Sequence, residues 1–291
     1  MPNPMRRGRR GALINQSEYR FGRGLAELTG LGGGAYQFCM QNEPAPEPVA
    51  RDSAEWAARQ DLAAAYRMID RFFPTTDGIY NHLSLRVPDQ PRQFLIKRHA
   101  LLYREVTASN LVKVDMDADL DERAGVNRPG FVLHSGVLRA RADVQCVIHM
   151  HTVPGIAMSA HGGGLRMISQ AAIRFYKRIG YHPFEGVTDN ADERERLAAA
   201  LGDNHALFLR NHGIVVTGSS VREAFERTRD LMTACEIQLA LEAATDDIVE
   251  VPDAICESTV RQLELHDKGR GKADWPAWRR LMDEVAAGYA D

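Results

Sequence analysis

The chain has 291 residues, of which 44% are hydrophobic and 26% are charged, and its formal net charge at pH 7 is −3. That length suffices for one large α/β domain with its own core, or for two small ones. The near-neutral balance gives no general attraction to nucleic acid or to an anionic membrane, and no apolar run approaches the roughly 20 residues of a membrane helix. We therefore expect a soluble protein with neither a nucleic-acid nor a membrane partner.

The four cysteines lie far apart in the sequence, and no two of them have metal-ligand spacing: Cys39, Cys146, Cys235 and Cys256. This scatter is typical of buried thiols in a reducing compartment, because a disulfide framework in a small secreted domain shows dense, regularly spaced cysteines. The cysteine pattern therefore predicts a cytoplasmic protein.

Residues 1–50 differ in composition from the rest of the chain. They contain bunched arginines, consecutive glycines and alternating prolines: Arg6, Arg7, Arg9, Arg10, Gly32, Gly33, Gly34, Pro44, Pro46 and Pro48. Because its apolar residues are not spaced regularly enough to form a face that could be buried, this segment is predicted to be a disordered or loosely packed N-terminal extension. The arginine cluster also fits a nucleic-acid or targeting tail, although no apolar signal segment accompanies it. Met40 is an alternative start of the chain.

From residue 53 onwards the hydrophobic pattern indicates regular structure. Residues 53–73 place apolar side chains near helical spacing, with Ser53 as the N-cap and Pro74 ending the helix. A turn at residues 88–91 separates the first two of three predicted strands. These strands are residues 82–87, 93–96 and 111–115.

The second half of the chain continues the mixture of helices and strands. Its predicted elements are a helix, an apolar strand, the two strands of a hairpin and a long helix: residues 131–139, 144–149, 206–209, 214–217 and 220–244. Ser220 and Glu223 have the spacing of a capping box at the start of the long helix. The pattern predicts one layered α/β domain over residues 51–245, followed by a tail with a short helix over residues 246–291.

Three of the ten histidines have a spacing that suits a metal ion. His149 and His151 end an apolar strand, and residues two apart on a strand point to the same face. His212 lies between two apolar β runs, and Gly213 permits the tight turn that swings its imidazole inward. Three imidazoles leave an open position on a divalent ion, the arrangement of a catalytic site. A His-x-His pair or a histidine before glycine also occurs by chance, so the residues alone leave the choice open.

Several ordered motifs between about residues 55 and 245 have the order and spacing of one known family. They are residues 78–84 (GIYNHLS), 101–109 (LLYREVTAS), 130–135 (GFVLHS), 147–152 (VIHMHT), 209–213 (LRNHG) and 234–238 (ACEIQ). In these motifs the chain resembles the class II aldolase/adducin family, and within it the adducin head subfamily.

The resemblance implies an α/β, class II aldolase-like layered fold, with a central, mainly antiparallel sheet covered by helices on both faces. It implies a homotetramer with sites near subunit interfaces. It also implies one divalent metal ion held by His149, His151 and His212. Zn²⁺ is the first expectation, with Mn²⁺, Fe²⁺ and Co²⁺ as alternatives.

The sequence departs from the sugar-phosphate aldolases of this family in two places. Those aldolases place an acidic residue, the catalytic acid/base, 19 positions before the first metal histidine, and that position is Gly130 here. They cradle the substrate phosphate with small hydroxyl and glycine residues, whereas the matching positions here are His99, Ala100, Arg128 and Pro129. A phosphorylated sugar is therefore not the expected substrate.

The replacing residues favour a small anionic substrate. Lys97, Arg98 and His99 follow the second strand, and Arg128 lies close to the lost acid. Arginine can bind a carboxylate through two parallel hydrogen bonds. We predict Lys97, Arg98 and His99 as substrate-binding residues and Arg128 as a catalytic residue. The alternative for Lys97 and Arg98 is a solvated turn.

His134 and Asn81 complete the predicted site. His134 lies one helical turn beyond Gly130, and histidine titrates near neutrality, so we predict it as a proton carrier. Orienting a neighbour, or capping, is the alternative role for His134. Asn81 resembles the substrate-binding asparagine of the aldolases, and a turn-forming asparagine is the alternative there.

Together these residues predict a metal-dependent lyase that acts on a small oxo- or hydroxy-carboxylate by aldol-type C–C cleavage or by decarboxylation. The missing carboxylate at Gly130 favours decarboxylation, which needs no base to remove a hydroxyl proton. Two other classes stay open. One is an Fe²⁺-dependent oxidative decarboxylase that uses the same three histidines, and the other is a non-catalytic oligomeric scaffold like the adducin head.

Overall fold

The computed structural model describes residues 49–118, 120, 125–186, 192–269 and 274–291. The predicted N-terminal extension, with its arginine cluster, lies outside these residues except for positions 49 and 50. Among the described residues, no helix is both long and apolar enough to cross a membrane.

A single sheet of seven strands forms the centre of the described chain. Its strands are β1 (His82–Val87), β2 (Gln90–Ile96), β3 (Val112–Asp115), β4 (Cys146–Met150), β5 (Ile179–His182), β6 (Ala206–Leu209) and β7 (Gly213–Gly218). Their order across the sheet is β3-β2-β1-β4-β7-β6-β5. Every neighbouring pair is antiparallel except β5 and β6, which are parallel. The mainly antiparallel sheet of the sequence analysis is confirmed.

Eight α-helices are described around the sheet. They are α1 (Ala54–Phe72), α2 (Arg128–Ala140), α3 (Val153–Ala160), α4 (Gln170–Ile173), α5 (Glu193–Leu201), α6 (Val221–Ala244), α7 (Asp253–Gly269) and α8 (Asp274–Val285). The predicted caps form locally: the Ser53 side chain accepts a hydrogen bond from the Trp56 amide, and that of Ser220 accepts one from the Glu223 amide. The Glu223 carboxylate accepts from the Ser219 amide and not from Ser220, so the capping box is shifted by one residue.

Helices cover both faces of the sheet, as expected. Successive residues of a strand point to opposite faces, and the strands alternate accordingly. Ile148 and Phe208 belong to one buried cluster with side chains of α1 and α6, whereas Val147 and Leu207 belong to a second cluster with side chains of α2 and α5. The layered α/β fold with two apolar faces is therefore confirmed.

The structure corrects the predicted turn between β1 and β2. Only Pro88 and Asp89 form the turn, and β2 begins at Gln90 rather than at residue 93. Asp89 has φ of 60°, a left-handed conformation that aspartate tolerates better than most residues. Because this tight turn needs only two residues, Gln90 and Pro91 are free to extend the strand.

The segment after α6 carries more helix than the sequence pattern indicates. It forms α7 and α8, and Met282 and Tyr289 are buried in the same apolar cluster as α1. Backbone amides of Ala108 and Ser109 donate to the carbonyl oxygens of Tyr289 and Asp291. The end of the chain is therefore packed against the domain core.

Candidate metal centre

Two strand ends bring the predicted metal ligands together. His149 is in β4 and His151 follows it, and both lie on the face of the sheet opposite Ile148. His212 directly precedes β7, after Asn211 at φ 59°. A Cβ at Gly213 would lie 2.5 Å from the Met150 carbonyl oxygen, so the chain passes β4 closely here only because this residue is glycine.

The three imidazoles meet through their Nε2 atoms. The Nε2 atom of His151 lies 2.8 Å from that of His149 and 2.9 Å from that of His212. His149 donates its Nδ1 proton to the Ile214 carbonyl oxygen at 2.9 Å, and His151 bonds through Nδ1 to the Asp77 carboxylate. With Nδ1 of both rings bonded to an oxygen, His149 and His151 turn their Nε2 atoms towards the same point. The donor set fits a divalent metal ion.

Burial keeps the ligands in the form that binds metal. It lowers the pKa of His149 well below its ordinary value, and the neighbouring histidines His151 and His212 lower it further. Burial likewise lowers the pKa of His212 to about 4. Neutral imidazole is the metal-binding species, so these rings need lose no proton at neutral pH to bind an ion.

Asn81 and Asp77 fix the orientation of His151. The Asn81 amide nitrogen donates to one Asp77 oxygen at 2.6 Å, and its amide oxygen accepts from the His151 backbone amide at 2.6 Å. The second Asp77 oxygen bonds the His151 ring. Asn81 is fully buried and does not line the cavity beside the histidines. The predicted substrate-binding asparagine therefore holds His151, a candidate metal ligand, in place.

The three histidines form part of the wall of a cavity of about 330 Å³. Its lining residues are Asp77, Tyr80, His82, Asn127, Pro129, Leu133, His149, His151, Phe184, Gly186 and His212. Such a volume suits a small molecule. Asp77 is the one carboxylate among these described lining residues, and it is already bonded to His151 and Asn81.

His82 is a site residue that the sequence analysis missed. It is 5% exposed, lines the cavity, and neither ring nitrogen has a hydrogen-bond partner among the described residues. A Cβ at Gly130 would lie 2.9 Å from its Nε2 atom. The His82 ring thus occupies the space that a side chain at residue 130 would enter. The antiparallel pairing of two histidine-bearing strands is the signal that would have identified it, and this pairing is not visible in one segment of sequence.

His134 lies behind His82, away from the cavity lining. It is fully buried, its Nδ1 atom is 2.5 Å from the Ser84 hydroxyl, and its ring meets the His82 ring edge-on at 5.5 Å. Burial lowers its pKa to about 3, so the ring is neutral at physiological pH. His134 contacts the cavity only through His82, which is the geometry of an orienting residue.

The predicted cationic segment lies outside the cavity lining. Lys97 is buried, and its ammonium donates to the carbonyl oxygens of Ile79, Arg98 and His99 at 2.8, 3.4 and 3.2 Å. Burial lowers the pKa of Lys97 to about 8. The His99 ring packs edge-on against Tyr80, and Arg98 is half-buried. Burial first and then His134 lower the pKa of His82, and the charge of Lys97 lowers it further without contact.

Arg128 is exposed at the first residue of α2, and its neighbours Asn127 and Pro129 line the cavity while it does not. Its charge is close enough to Arg194 to help lower the pKa of that guanidinium, whose shift comes first from burial. The structure therefore brings together His149, His151 and His212, and leaves the Arg128 side chain outside this group.

Comparison with known proteins identifies the class. Residues 60–239 match the family described as Class II Aldolase and Adducin N-terminal domain. An aldolase II superfamily protein from Pseudomonas syringae is 41% identical, with 82% of this chain and 97% of that chain covered and a TM-score of 0.75. Alpha-adducin from Rattus norvegicus is 38% identical over 249 residues, covering 83% of this chain and 34% of the adducin. The chain belongs to the class II aldolase and adducin family.

The fold is also that of a sugar-phosphate aldolase. L-fuculose 1-phosphate aldolase from Glaciozyma antarctica PI12 matches with a TM-score of 0.69, over 87% of this chain and 98% of that chain. Sequence identity to it is only 23%, so the likeness concerns the architecture alone. The reaction must be argued from the site.

Proposed function

We propose that this protein is a metal-dependent lyase that cleaves a C–C bond in a small oxo- or hydroxy-carboxylate. The observation that carries the proposal is the convergence of three imidazoles on one point of a cavity wall. Three protein ligands leave coordination positions for a substrate, as in catalytic rather than structural metal sites. Membership in a family of metal-dependent aldolases supports the same class of reaction.

His149, His151 and His212 would hold the ion, and Zn²⁺ is the first expectation because three imidazoles suit it. When bound, such an ion supplies Lewis-acid polarisation of a substrate carbonyl or hydroxyl oxygen. Asp77 keeps His151 in the tautomer that presents Nε2 to the ion, and the Ile214 carbonyl does the same for His149.

The surroundings of the cavity favour an anion. Both oxygens of Asp77, its only described lining carboxylate, are bonded to His151 and Asn81, so this carboxylate is held away from direct contact with a substrate. Lys97 adds a buried positive charge close enough to influence His82. A carboxylate beside the reacting carbon would be drawn into such a cavity, because charges interact more strongly where water is excluded.

His82 is the residue we propose to contact the substrate where related aldolases carry an acid. Its ring fills the space beside Gly130, and both of its nitrogens lack partners among the described residues. A neutral imidazole donates one hydrogen bond and accepts another. His82 would therefore orient a substrate oxygen, and His134 would hold the His82 ring from behind.

The similarity to alpha-adducin supports a second candidate, a non-catalytic oligomeric scaffold. An Fe²⁺-dependent oxidative decarboxylase would use the same three histidines. The three classes differ in what they consume. A lyase consumes only its substrate, an oxidative decarboxylase also consumes O₂, and a scaffold has no turnover.

The test is a substrate screen on two samples of the protein. One is loaded with Zn²⁺, and the other is loaded with Fe²⁺ under anaerobic conditions. Small 2-oxo-, 3-oxo- and hydroxy-carboxylates are compared with sugar phosphates, and CO₂, aldehyde and O₂ are measured. We expect carboxylate turnover without O₂ uptake, and none in His149→Ala. Turnover of sugar phosphates in preference to all carboxylates would overturn the substrate class. O₂ uptake coupled to turnover would establish the oxidative class instead.

A further inference from the structure

A second cluster of potential metal ligands lies at the end of β5. His182, the last residue of that strand, is 4% exposed. Its Nε2 atom lies 3.7 Å from an oxygen of Glu185 and 3.8 Å from an oxygen of Glu193. The three donor atoms all lie within 4.8 Å of one another. They come from a strand end, the loop that follows it and the first residue of α5.

The distances exclude simple ion-pair hydrogen bonds. A protonated imidazole bonded to a carboxylate would approach to about 2.7–2.9 Å. The Nε2 atom of His182 has no hydrogen-bond partner among the residues that the structure describes. A buried ring nitrogen therefore points between two carboxylates without bonding either, although burying an unpaired polar atom is costly.

The spacing suits donors arranged around one ion. Ligands about 2.1 Å from Zn²⁺ in a tetrahedron are about 3.4 Å apart, close to the observed separations. Arg196 contacts Glu185 Oε2 through Nη2 at 2.6 Å and through Nε at 2.9 Å, and Oε1 through Nε at 3.1 Å. The stronger contacts to Oε2 leave Oε1 facing His182. Arg196 thus orients this carboxylate in the way that neighbouring groups orient metal ligands.

From this geometry we propose that His182, Glu185 and Glu193 form a second divalent-cation site, which takes Zn²⁺ or a similar first-row ion through one nitrogen and two carboxylate oxygens. Carboxylate and imidazole ligands together suit such ions. The imidazole and the two carboxylates offer one ion a nitrogen and two oxygens.

The site would fix one wall of the metal centre. Glu185 lies between Phe184 and Gly186, both of which line the cavity, and the Phe184 ring is 6.4 Å from the ring of His212. An ion bound by Glu185 would tie this segment to His182 of β5 and to Glu193 of α5. Cation binding at His182, Glu185 and Glu193 would therefore set the position of Phe184, which lies beside His212 of the first site.

The first experiment counts bound ions. Protein stripped with a chelator is titrated with ZnCl₂ alone by calorimetry, and its zinc content is measured after gel filtration. We expect two equivalents per chain in the wild type, one in His182→Ala and in Glu193→Gln, and one in His149→Ala. Glu195→Gln is the matched control, because Glu195 is an exposed carboxylate in the same first turn of α5. It should keep two equivalents.

A second measurement follows residue 184 in the cavity wall by fluorescence. Phe184→Trp in the His149→Ala background should change its fluorescence on ZnCl₂ addition, and adding Glu193→Gln should abolish that change. Glu193→Gln protein that binds as many equivalents as the wild type overturns the proposal. If His182→Ala does not fold, the nearly isosteric Glu193→Gln variant decides alone. If the site of His149, His151 and His212 binds no Zn²⁺, the wild type and the His149→Ala variant will bind the same number of equivalents.

Discussion

The imidazole rings of His82 and His149 are stacked, with centroids 5.4 Å apart and ring planes inclined by 24°. The register of β1 and β4 places these two residues directly opposite each other. His149 is a candidate metal ligand, whereas His82 lines the same cavity and neither of its ring nitrogens has a hydrogen-bond partner within the part of the chain that the structure describes. One strand pairing therefore puts a hydrogen-bonding group beside the metal centre.

The first prediction concerns the space that this ring occupies. Gly130→Ala would bring a Cβ to 2.9 Å from the His82 ring. Since His82 is a buried residue of β1 whose ring lies against Gly130 of α2, we expect the variant to lower the free energy of unfolding by roughly 1–3 kcal/mol. Urea unfolding of the chelator-treated protein measures this loss. Gly162→Ala is the control, because a Cβ there meets nothing within 4 Å.

A double-mutant cycle assigns the loss to the pair. In the His82→Ala background, Gly130→Ala should lower the free energy of unfolding by much less than in the wild type, which gives a coupling energy of about 0.5–3 kcal/mol. An equal loss of unfolding free energy in both backgrounds would mean that the Gly130 substitution strains α2 itself and that His82 is not its steric partner.

The second prediction concerns Asp77, which orients the ring of His151. Asp77→Asn removes the charged acceptor for the ring N–H, so we expect roughly 10- to 100-fold weaker Zn²⁺ binding at this centre. The affinity is measured by competition with a chelator in the Glu193→Gln background, so that only the trihistidine centre is read. Asp52→Asn, at an exposed aspartate outside the site, should leave the affinity unchanged. Unchanged affinity in Asp77→Asn would contradict the orienting role.

The third prediction concerns stability in acid. Burial, and then the nearby arginines Arg227 and Arg178, lower the pKa of His205 to about 3. The unfolded chain binds a proton at about pH 6.5, so the neutral ring contributes its full stability above pH 6.5. That contribution is lost as the pH falls towards 3. By linkage the loss at pH 5.5 is about 1.4 kcal/mol relative to high pH.

His205→Gln removes this proton uptake on unfolding. We expect the fall in unfolding free energy between pH 7.5 and 5.5 to shrink by about 1.4 kcal/mol relative to the wild type. His266→Gln, which alters an exposed histidine, should leave the fall almost unchanged. A His205→Gln protein with the same pH dependence as the wild type would show that His205 is protonated in the fold.

Local spacing made His149, His151 and His212 candidates for a metal site, and the family resemblance decided between that interpretation and chance. Residues two apart on a strand share a face, and an Asn-His-Gly turn redirects one ring, whatever the rest of the chain does. His82 could not be found in this way. Its role depends on β1 pairing with β4 across more than 60 residues of chain, and on Gly130 leaving room for its ring.

Lys97 shows the second limit of a sequence pattern. A lysine beside an arginine at a strand end indicates either a substrate contact or a solvated turn, and neither describes what it does. Its ammonium is buried against three backbone carbonyls, one of them Ile79 in the short 3₁₀ turn Gly78–Tyr80. Backbone acceptors carry no side-chain signature, so such a role becomes visible only when the fold is known.

The fourth prediction concerns assembly. The aromatic side chains of Tyr80 and Phe184 line the cavity and remain 51% and 57% exposed. Exposed aromatic groups at a cavity rim suit a subunit interface. The family resemblance implies a homotetramer, and this is the assembly that we expect. Light scattering at micromolar concentration measures the mass. Phe184→Ser should weaken the tetramer, whereas Val249→Ser, at an 87% exposed position distant in sequence, should not. A monomeric wild type would contradict the prediction.

The last prediction concerns Arg128 and the charge of the substrate. Its side chain is exposed, while its neighbours Asn127 and Pro129 line the cavity, so its charge reaches an anionic substrate through partly solvated space. Interactions of that kind are worth about 0.2–1 kcal/mol and are screened by salt. Arg128→Met should therefore raise KM about 1.4- to 5-fold with kcat unchanged, and the effect should fade in 0.5 M NaCl.

The control is Arg139→Met, at the far end of α2 and 49% exposed, which should leave KM unchanged. If the Arg128 guanidinium instead turns inward and binds the substrate carboxylate directly, the loss in kcat/KM would be larger. It would reach roughly 30- to 5,000-fold, from about 2–5 kcal/mol for a desolvated charge pair. It would also persist in salt, because a buried pair is poorly screened. An Arg128→Met enzyme with an unaltered KM at low salt would mean that the cavity takes a neutral substrate.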